Sequence, residues 1–211
     1  LVTSDIAIEA IRKSIEFSKK NKIKIALTFS DLSMVKYFKD KFHFILDNKI
    51  DLIVDFDAIL ATGHLSEKEI FSVVEYAIGK GHKKIIVTHP EMQCPNLSIK
   101  SQIELADQNC LMEYCAVNCM PMFQSVTSDQ MKEAIDAVGA ERSIIATDSG
   151  QPFSPKTPDM FRMFAQVLHE KGVSLEDIAT MAIKNPARLL GIKPRFDKVQ
   201  LTDELLSLIH I

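Results

Sequence analysis

Two histidines and an aspartate stand where apolar runs stop. The runs are Ala58-Ile-Leu-Ala-Thr-Gly-His64, Lys84-Ile-Ile-Val-Thr-His89-Pro90 and Ser143-Ile-Ile-Ala-Thr-Asp148-Ser-Gly-Gln-Pro152. Each is short, apolar and partly β-branched, which reads as a buried strand, and each gives way to residues that turn the chain. Strands running in one direction would deliver imidazole, imidazole and carboxylate to a common edge of a parallel sheet. Those donors suit a divalent cation, zinc being the best match, and they make His64, His89 and Asp148 the candidate metal site. Plainer roles compete: a hydrogen-bonded histidine at a strand end, or a turn cap for the aspartate of Asp-Ser-Gly.

An edge of this kind needs a regular alternation of helix and strand behind it. Ser4 caps a helix through Lys20 that carries Ile6, Ala10, Ile11, Ile15 and Phe17 at helical spacing. A strand is expected over Ile23 to Phe29. A helix capped by Ser30-Asp31 follows, with Met34, Val35, Phe38, Phe42 and Ile45 on one face, and then a strand over Ile50 to Val54. Farther on, Ser66 and Glu69 form a capping-box pattern ahead of Ile70, Val73, Val74, Ala77 and Ile78, and Gly79-Lys-Gly81 ends that helix. Leu97-Ser98 introduces a helix over Ile103, Leu105 and Ala106. Leu111 to Val117 reads as a strand, Asn118 to Ser125 as a loop, and Ser128 caps a helix that runs to Val138. Thr157-Pro158 opens a helix through Leu168 with proline in its first turn, Ser174 caps the next, and Asn185-Pro186 is expected to break it before a last turn to Gly191. The alternation predicts an α/β fold of parallel strands with covering helices.

With 211 residues the chain can bury about 70% of its unfolded surface. A net charge of -3 gives no electrostatic case for nucleic acid or an anionic membrane, and no apolar run reaches the roughly 20 residues that span a bilayer. A small-molecule substrate is the expected partner. Cys94, Cys110, Cys115 and Cys119 include no Cys-x-x-Cys pair, so reduced thiols in a cytoplasmic protein are expected. Leu1 in place of methionine suggests a start within a longer reading frame, and charged residues Asp5, Glu9, Arg12 and Lys13 argue against a signal peptide.

One passage breaks the rhythm. A strand ends at Ile53-Val54 and another begins at Ala58, whereas parallel neighbours need a crossover of a dozen or more residues. The two runs are either one long strand or a seam between unrelated sequences; the seam is the preferred reading. It divides the chain into residues 1–55, 56–192 and a tail, 193–211.

The first segment resembles part of the ribokinase-like carbohydrate kinases through Lys22-Ile-Lys-Ile-Ala-Leu-Thr-Phe-Ser-Asp31, Phe38-Lys-Asp-Lys-Phe42 and Asn48-Lys-Ile-Asp-Leu-Ile53. The Gly-x-Gly-Asp anion hole of that family has no counterpart here, so a carbohydrate or nucleoside kinase fragment is the alternative function and no kinase activity is carried over. Leu206-Ser-Leu-Ile-His-Ile211 resembles a translated sequencing adapter, which sets His210 aside as a ligand.

The second segment resembles the amidohydrolase superfamily, and within it a bacterial family related to the phosphotriesterase and uronate isomerase-like barrels. The motifs are Ala61-Thr-Gly-His-Leu-Ser66, Val87-Thr-His-Pro90, Ala146-Thr-Asp-Ser-Gly-Gln-Pro152 and Asn185-Pro-Ala-Arg-Leu-Leu-Gly191. The resemblance implies a partial, unclosed TIM-type β/α barrel with metal at the carboxyl ends of its strands. His64 and His89 would be ligands from the fifth and sixth barrel strands. Asp148 would be the eighth-strand acid that binds metal and takes the proton of the attacking water. The implied activity is metal-dependent hydrolysis of an amide, ester or related bond. The first-strand His-x-His of that superfamily is missing, and His43 and His82 stand alone, so half of the site is expected, loss of the hydrolase activity in this fragment is one outcome, and a non-catalytic α/β remnant is a further alternative. Among the other polar residues, Glu113 is expected in a surface salt bridge and Arg188 in tying the last helix to the sheet. Cys115 and Cys119 are expected as buried thiols, and Met112, Met120, Met122 and Phe123 as packing.

Overall fold

The computed structural model describes residues 9, 10, 13, 14, 16, 17, 20, 21, 26–28 and 58–193. The expectations that fall on residues 29–57, among them the second helix, the strand at Ile50 to Val54, His43 and the junction itself, lie outside these, as do residues 194–211 with His210. The described residues between Glu9 and Asn21 are helical, as the spacing predicts.

Five strands form one parallel sheet in chain order: β1 (Ala26–Thr28), β2 (Ile59–Ala61), β3 (Ile85–Thr88), β4 (Leu111–Cys115) and β5 (Ser143–Ala146). Among the described residues the sheet is open, with β1 and β5 at its edges. The fold is α/β, an unclosed arc of a β/α barrel, in agreement with the sequence. Helices α1 (Glu67–Gly79), α2 (Ile99–Asp107) and α3 (Ser128–Val138) join successive strands from β2 to β5. Then α4 (Thr157–Glu170) and α5 (Leu175–Ala179) follow, and a π-type turn (Thr180–Lys184) leads into α6 (Asn185–Leu190).

Local chemistry explains the helix starts. The Ser66 backbone N–H and hydroxyl donate to Glu69 Oε2 at 3.0 and 2.6 Å, closing the capping box at the head of α1. Thr127, one residue ahead of the expected Ser128, caps α3 by accepting from the Gln130 N–H at 3.2 Å. Ser174 caps α5 in the same way through the Asp177 N–H at 3.0 Å.

Strands β2 to β5 are largely buried on both faces, which is why they read as nearly unbroken apolar runs. One face sends Leu60, Ile85, Val87, Met112, Tyr114 and Ile145 into the principal core. There they meet Ile70 and Val74 of α1, Leu105 of α2, Met131 and Ile135 of α3, and Phe164 and Leu168 of α4. A buried polar pair on this face is satisfied: Tyr114 donates to Gln102 Oε1 at 2.9 Å, and Gln102 Nε2 to the Leu97 carbonyl at 3.1 Å. The other face carries a smaller cluster, Ile59, Leu111 and Ile144, covered by Leu189 of α6.

Two expectations need correction. The strand at Leu111 does not run to Val117; it ends at Cys115 and tightens into a 3-10 turn over Ala116–Cys119, a change that a continuous apolar run cannot signal. Nor does Asn185-Pro186 break the chain into separate helices. The π-type turn shifts the hydrogen-bond ladder just upstream, so Pro186 enters α6 in its first turn, where its missing N–H leaves no vacancy. Asn185, fully buried, donates through Nδ2 to the carbonyls of Ala140 at 2.8 Å and Ser143 at 2.7 Å, pinning α6 to the start of β5. Arg188 adds the expected tie, donating to the Glu141 carbonyl at 2.8 Å.

Candidate metal site at the carboxyl edge of the sheet

Backbone pairing continues beyond the strands and carries the candidate residues together. The Thr62 N–H donates to the Ile86 carbonyl at 2.9 Å, the His89 N–H to the Glu113 carbonyl at 3.2 Å, and the Val117 N–H to the Thr147 carbonyl at 3.1 Å. The chain then turns sharply at each site. Gly63 has φ 60°, His89 has φ 50° and Asp148 has φ 49°. Left-handed backbone is open to glycine and disfavoured for other residues, so holding His89 and Asp148 there requires the surrounding ladder to enforce it.

The three predicted residues do assemble on one rim. The His64 and His89 rings lie with centroids 5.3 Å apart, tilted by 40°. His89 Nε2 stands 3.5 Å from Asp148 Oδ2. That separation is long for a hydrogen bond, whose usual N···O distance is about 2.7–3.2 Å. It matches the roughly 3.4 Å between two donors that share a tetrahedral ion at about 2.0–2.1 Å each. His89 is buried and Asp148 is open to solvent, with a side chain 41% exposed. Desolvation lowers the pKa of His89, Asp148 raises it in opposition, and His64 lowers it further. The net direction keeps the imidazole neutral, the form that ligates metal. The donor types and the His89–Asp148 spacing therefore fit a divalent cation. Among the described residues, however, no three His, Cys, Asp or Glu side chains converge closely enough to hold one by themselves.

Two acids join the rim that the sequence did not mark as part of it. Glu113 was expected in a surface salt bridge; instead it is half-buried on β4, paired in register with Thr88. Burial raises its pKa, the Thr88 hydroxyl beside it opposes that, and the Asp148 charge raises it again. Its signal was present in the sequence: a lone carboxylate within an apolar strand faces a functional edge as readily as solvent. Glu91, in the turn after β3, is 7% exposed. Burial pushes its carboxyl up to about 7, against a hydrogen bond from Asn118 and one from its own backbone and with Glu113 adding to the rise. No periodicity marks Glu91, because the partner that defines its setting lies 27 residues downstream.

The cysteines are all free: Cys110 and Cys115 are buried, Cys94 and Cys119 partly so. Cys94 Sγ reaches back to the His64 carbonyl at 3.6 Å, linking the loop after β3 to the loop after β2. Met112 is core, Met120 and Phe123 pack against the core, and Met122 is exposed, against the expectation of packing. His82 is buried in its turn, with Nε2 3.1 Å from the Lys84 carbonyl. Among the described residues no helix is long and apolar enough to cross a membrane.

A sequence family described as "Family of unknown function (DUF6282)" matches residues 20–113. The match runs across residues 55–57. No curated protein matches the chain. Among solved structures, the organophosphorus hydrolase from Deinococcus radiodurans is similar at 15% identity and a TM-score of 0.55, over 79% of this chain and 54% of that one. A hydrolase described as engineered for organophosphate hydrolysis "from a Weak Promiscuous Lactonase Template" is similar at 15% identity and a TM-score of 0.55, over 79% of this chain and 56% of that one. The likeness is one of fold. These neighbours are amidohydrolase-superfamily hydrolases, and the chain spans about half their length. Neither the family match nor these structures include a ribokinase-like kinase or an adapter sequence, so those two resemblances find no support.

Proposed function

We propose that this chain carries part of the site of a metal-dependent hydrolase of the amidohydrolase type, acting on a small-molecule amide, ester or related bond. The observation that carries the reading is the 3.5 Å approach of His89 Nε2 to Asp148 Oδ2 on the rim that also holds His64. The amidohydrolase fold of the neighbours, whose members depend on metal, supports it. A divalent cation bound there, zinc by donor type, would supply acidified water and a Lewis acid for the scissile group.

The chain's own residues divide the remaining work. His89, buried and held neutral, offers a nitrogen lone pair. His64 is the second imidazole donor. Asp148 is the exposed carboxylate of the set, placed where water and substrate reach it, and it accepts the proton that the attacking water gives up. Burial and the Asp148 charge give Glu113 a setting that favours its protonated carboxyl.

Zinc titration by calorimetry tests the reading. Wild-type protein is expected to bind, and His89→Ala and Asp148→Asn to lose binding while keeping their fold by circular dichroism. Hydrolysis of chromogenic esters and lactones by the zinc-loaded protein would complete it. Absence of zinc binding to folded wild-type protein would instead favour the second reading, an α/β remnant without a site. That reading draws its support from the lack of three converging ligands among the described residues.

A further inference from the structure

Among the described residues, the buried side-chain nitrogen and oxygen atoms without a hydrogen bond are Thr88 Oγ1, His89 Nδ1, Glu91 Oε2 and Asn118 Oδ1. They belong to the end of β3, the turn that follows it and the residue bonded to that turn. Thr88 ends β3, and His89 and Glu91 share the turn that follows, which is closed by the Met92 N–H donating to the His89 carbonyl at 2.9 Å. Pro90 occupies its second position, where a fixed φ favours such a turn. Asn118 Nδ2 donates to Glu91 Oε1 at 2.7 Å, so the carboxyl and the carboxamide share one bond and leave their other oxygens bare. Asn118 is itself held in place, its carbonyl accepting from the Ser125 N–H at 2.9 Å and the Val126 N–H at 3.3 Å. Thr88 Oγ1 has Glu113 beside it, and the Glu91 carboxyl has its own backbone N–H against it as well as Asn118, which leaves His89 Nδ1, Glu91 Oε2 and Asn118 Oδ1 as the three atoms to be served.

Leaving a buried polar atom bare is destabilising, and buried water, which typically makes about three hydrogen bonds, is the usual remedy. The chemistry of the three atoms fixes how it would bind. With Glu91 ionised, as it is above its pKa of about 7, Oε2 and Asn118 Oδ1 are both acceptors, so one water molecule gives a proton to each. Its oxygen can then only accept, and the remaining partner, His89 Nδ1, must be the donor. We propose that an ordered water bridges these three atoms, and that through it Glu91 is a positioning residue for the His89 imidazole. The bridge places the proton on Nδ1 and leaves the Nε2 lone pair facing Asp148. The value of that lone pair to a cation rests on the hydrolase reading above; the bridge itself does not.

The test is the tautomer of His89, read from its imidazole ¹⁵N shifts in metal-free protein at about pH 8, above the ordinary imidazole pKa of about 6.5. Wild type is expected in the Nδ1–H form. Glu91→Ala is expected to move the population toward Nε2–H, whereas Glu91→Gln, which keeps an acceptor oxygen, is expected to retain Nδ1–H. A merely structural role would not make the tautomer follow the acceptor. An Nε2–H tautomer in wild type overturns the proposal even if no variant folds, and so does a tautomer indifferent to both substitutions. Zinc affinity should fall about 10–100-fold in Glu91→Ala, as when other outer partners of a ligand are lost, and less in Glu91→Gln. If the tautomer follows Glu91 but wild type takes up no zinc, the hydrolase reading fails and the bridge stands. If zinc binds and the tautomer ignores Glu91, the bridge alone fails.

Discussion

The two ends of the strands are built to opposite standards. At the amino end, buried polar groups are paired: Asn185 Nδ2 serves two carbonyls and the Ser143 hydroxyl donates to the Gly139 carbonyl at 2.9 Å. At the carboxyl end, buried polar atoms stand bare, acids crowd one another, and His89 and Asp148 take left-handed backbone, which ahead of β4 falls instead to Asn109, a residue type that tolerates it. Stability alone would favour the first arrangement everywhere, since each bare atom and each strained residue costs about 1–3 kcal/mol. A chain that concentrates such costs on one rim, beside ligand-type side chains, marks where its chemistry belongs.

Substitutions can break this contrast, the largest effects coming first. His89→Ala should lower zinc affinity by more than ~100-fold, beyond the loss expected from an outer partner, while leaving the amino-end ties intact; calorimetry and a denaturation curve separate the two. Leu60→Ala, in the fully buried core behind the rim, should cost about 2–5 kcal/mol of unfolding free energy by urea denaturation.

The pH dependence of the metal-free protein comes next. Glu91 has a folded-state pKa of about 7 against an ordinary 4.5, so the folded state holds this proton more tightly than the unfolded chain does. Its contribution is complete below about 4.5 and is lost as pH rises to about 7, an amount of about 3 kcal/mol. Glu91→Gln should therefore flatten the stability profile between about pH 4.5 and 7.5, and an unchanged slope would show that the group lies in a wetter setting. Asn185→Ala should cost about 1–3 kcal/mol by leaving the Ser143 and Ala140 carbonyls without their donor, and should not alter zinc uptake. The smallest expected effect has the opposite sign. Asp148→Gly should raise stability by roughly 0.5–1 kcal/mol in thermal unfolding, because glycine accepts φ 49° freely, even as zinc binding falls.

Much of this architecture could be read from the residues. Short β-branched runs that stop at His89 and Asp148 correctly placed β3 and β5, and the Ser66–Glu69 pair placed the head of α1, because strand burial and helix capping are local effects. The meeting of His64, His89 and Asp148 was legible for a topological reason: parallel strands put all their carboxyl ends on one side. What escaped depended on distant partners. Glu113 looked like a surface residue because alternation reveals that two faces exist and not which of them is used. Glu91 carried no mark because Asn118, which buries and bonds it, belongs to a turn mistaken for the end of a strand and the start of a loop. The junction expected near residues 55–57 lies outside the described residues. On either side of it, β1 and β2 pair in parallel in one sheet, and the family match crosses it.

The contact from Cys94 Sγ to the His64 carbonyl has a further consequence. It makes two rim loops neighbours through a single soft atom, although they are separated in the chain by a helix and a strand. A bulky thiol reagent at Cys94 would act as a wedge between them, disturbing both imidazoles without touching either.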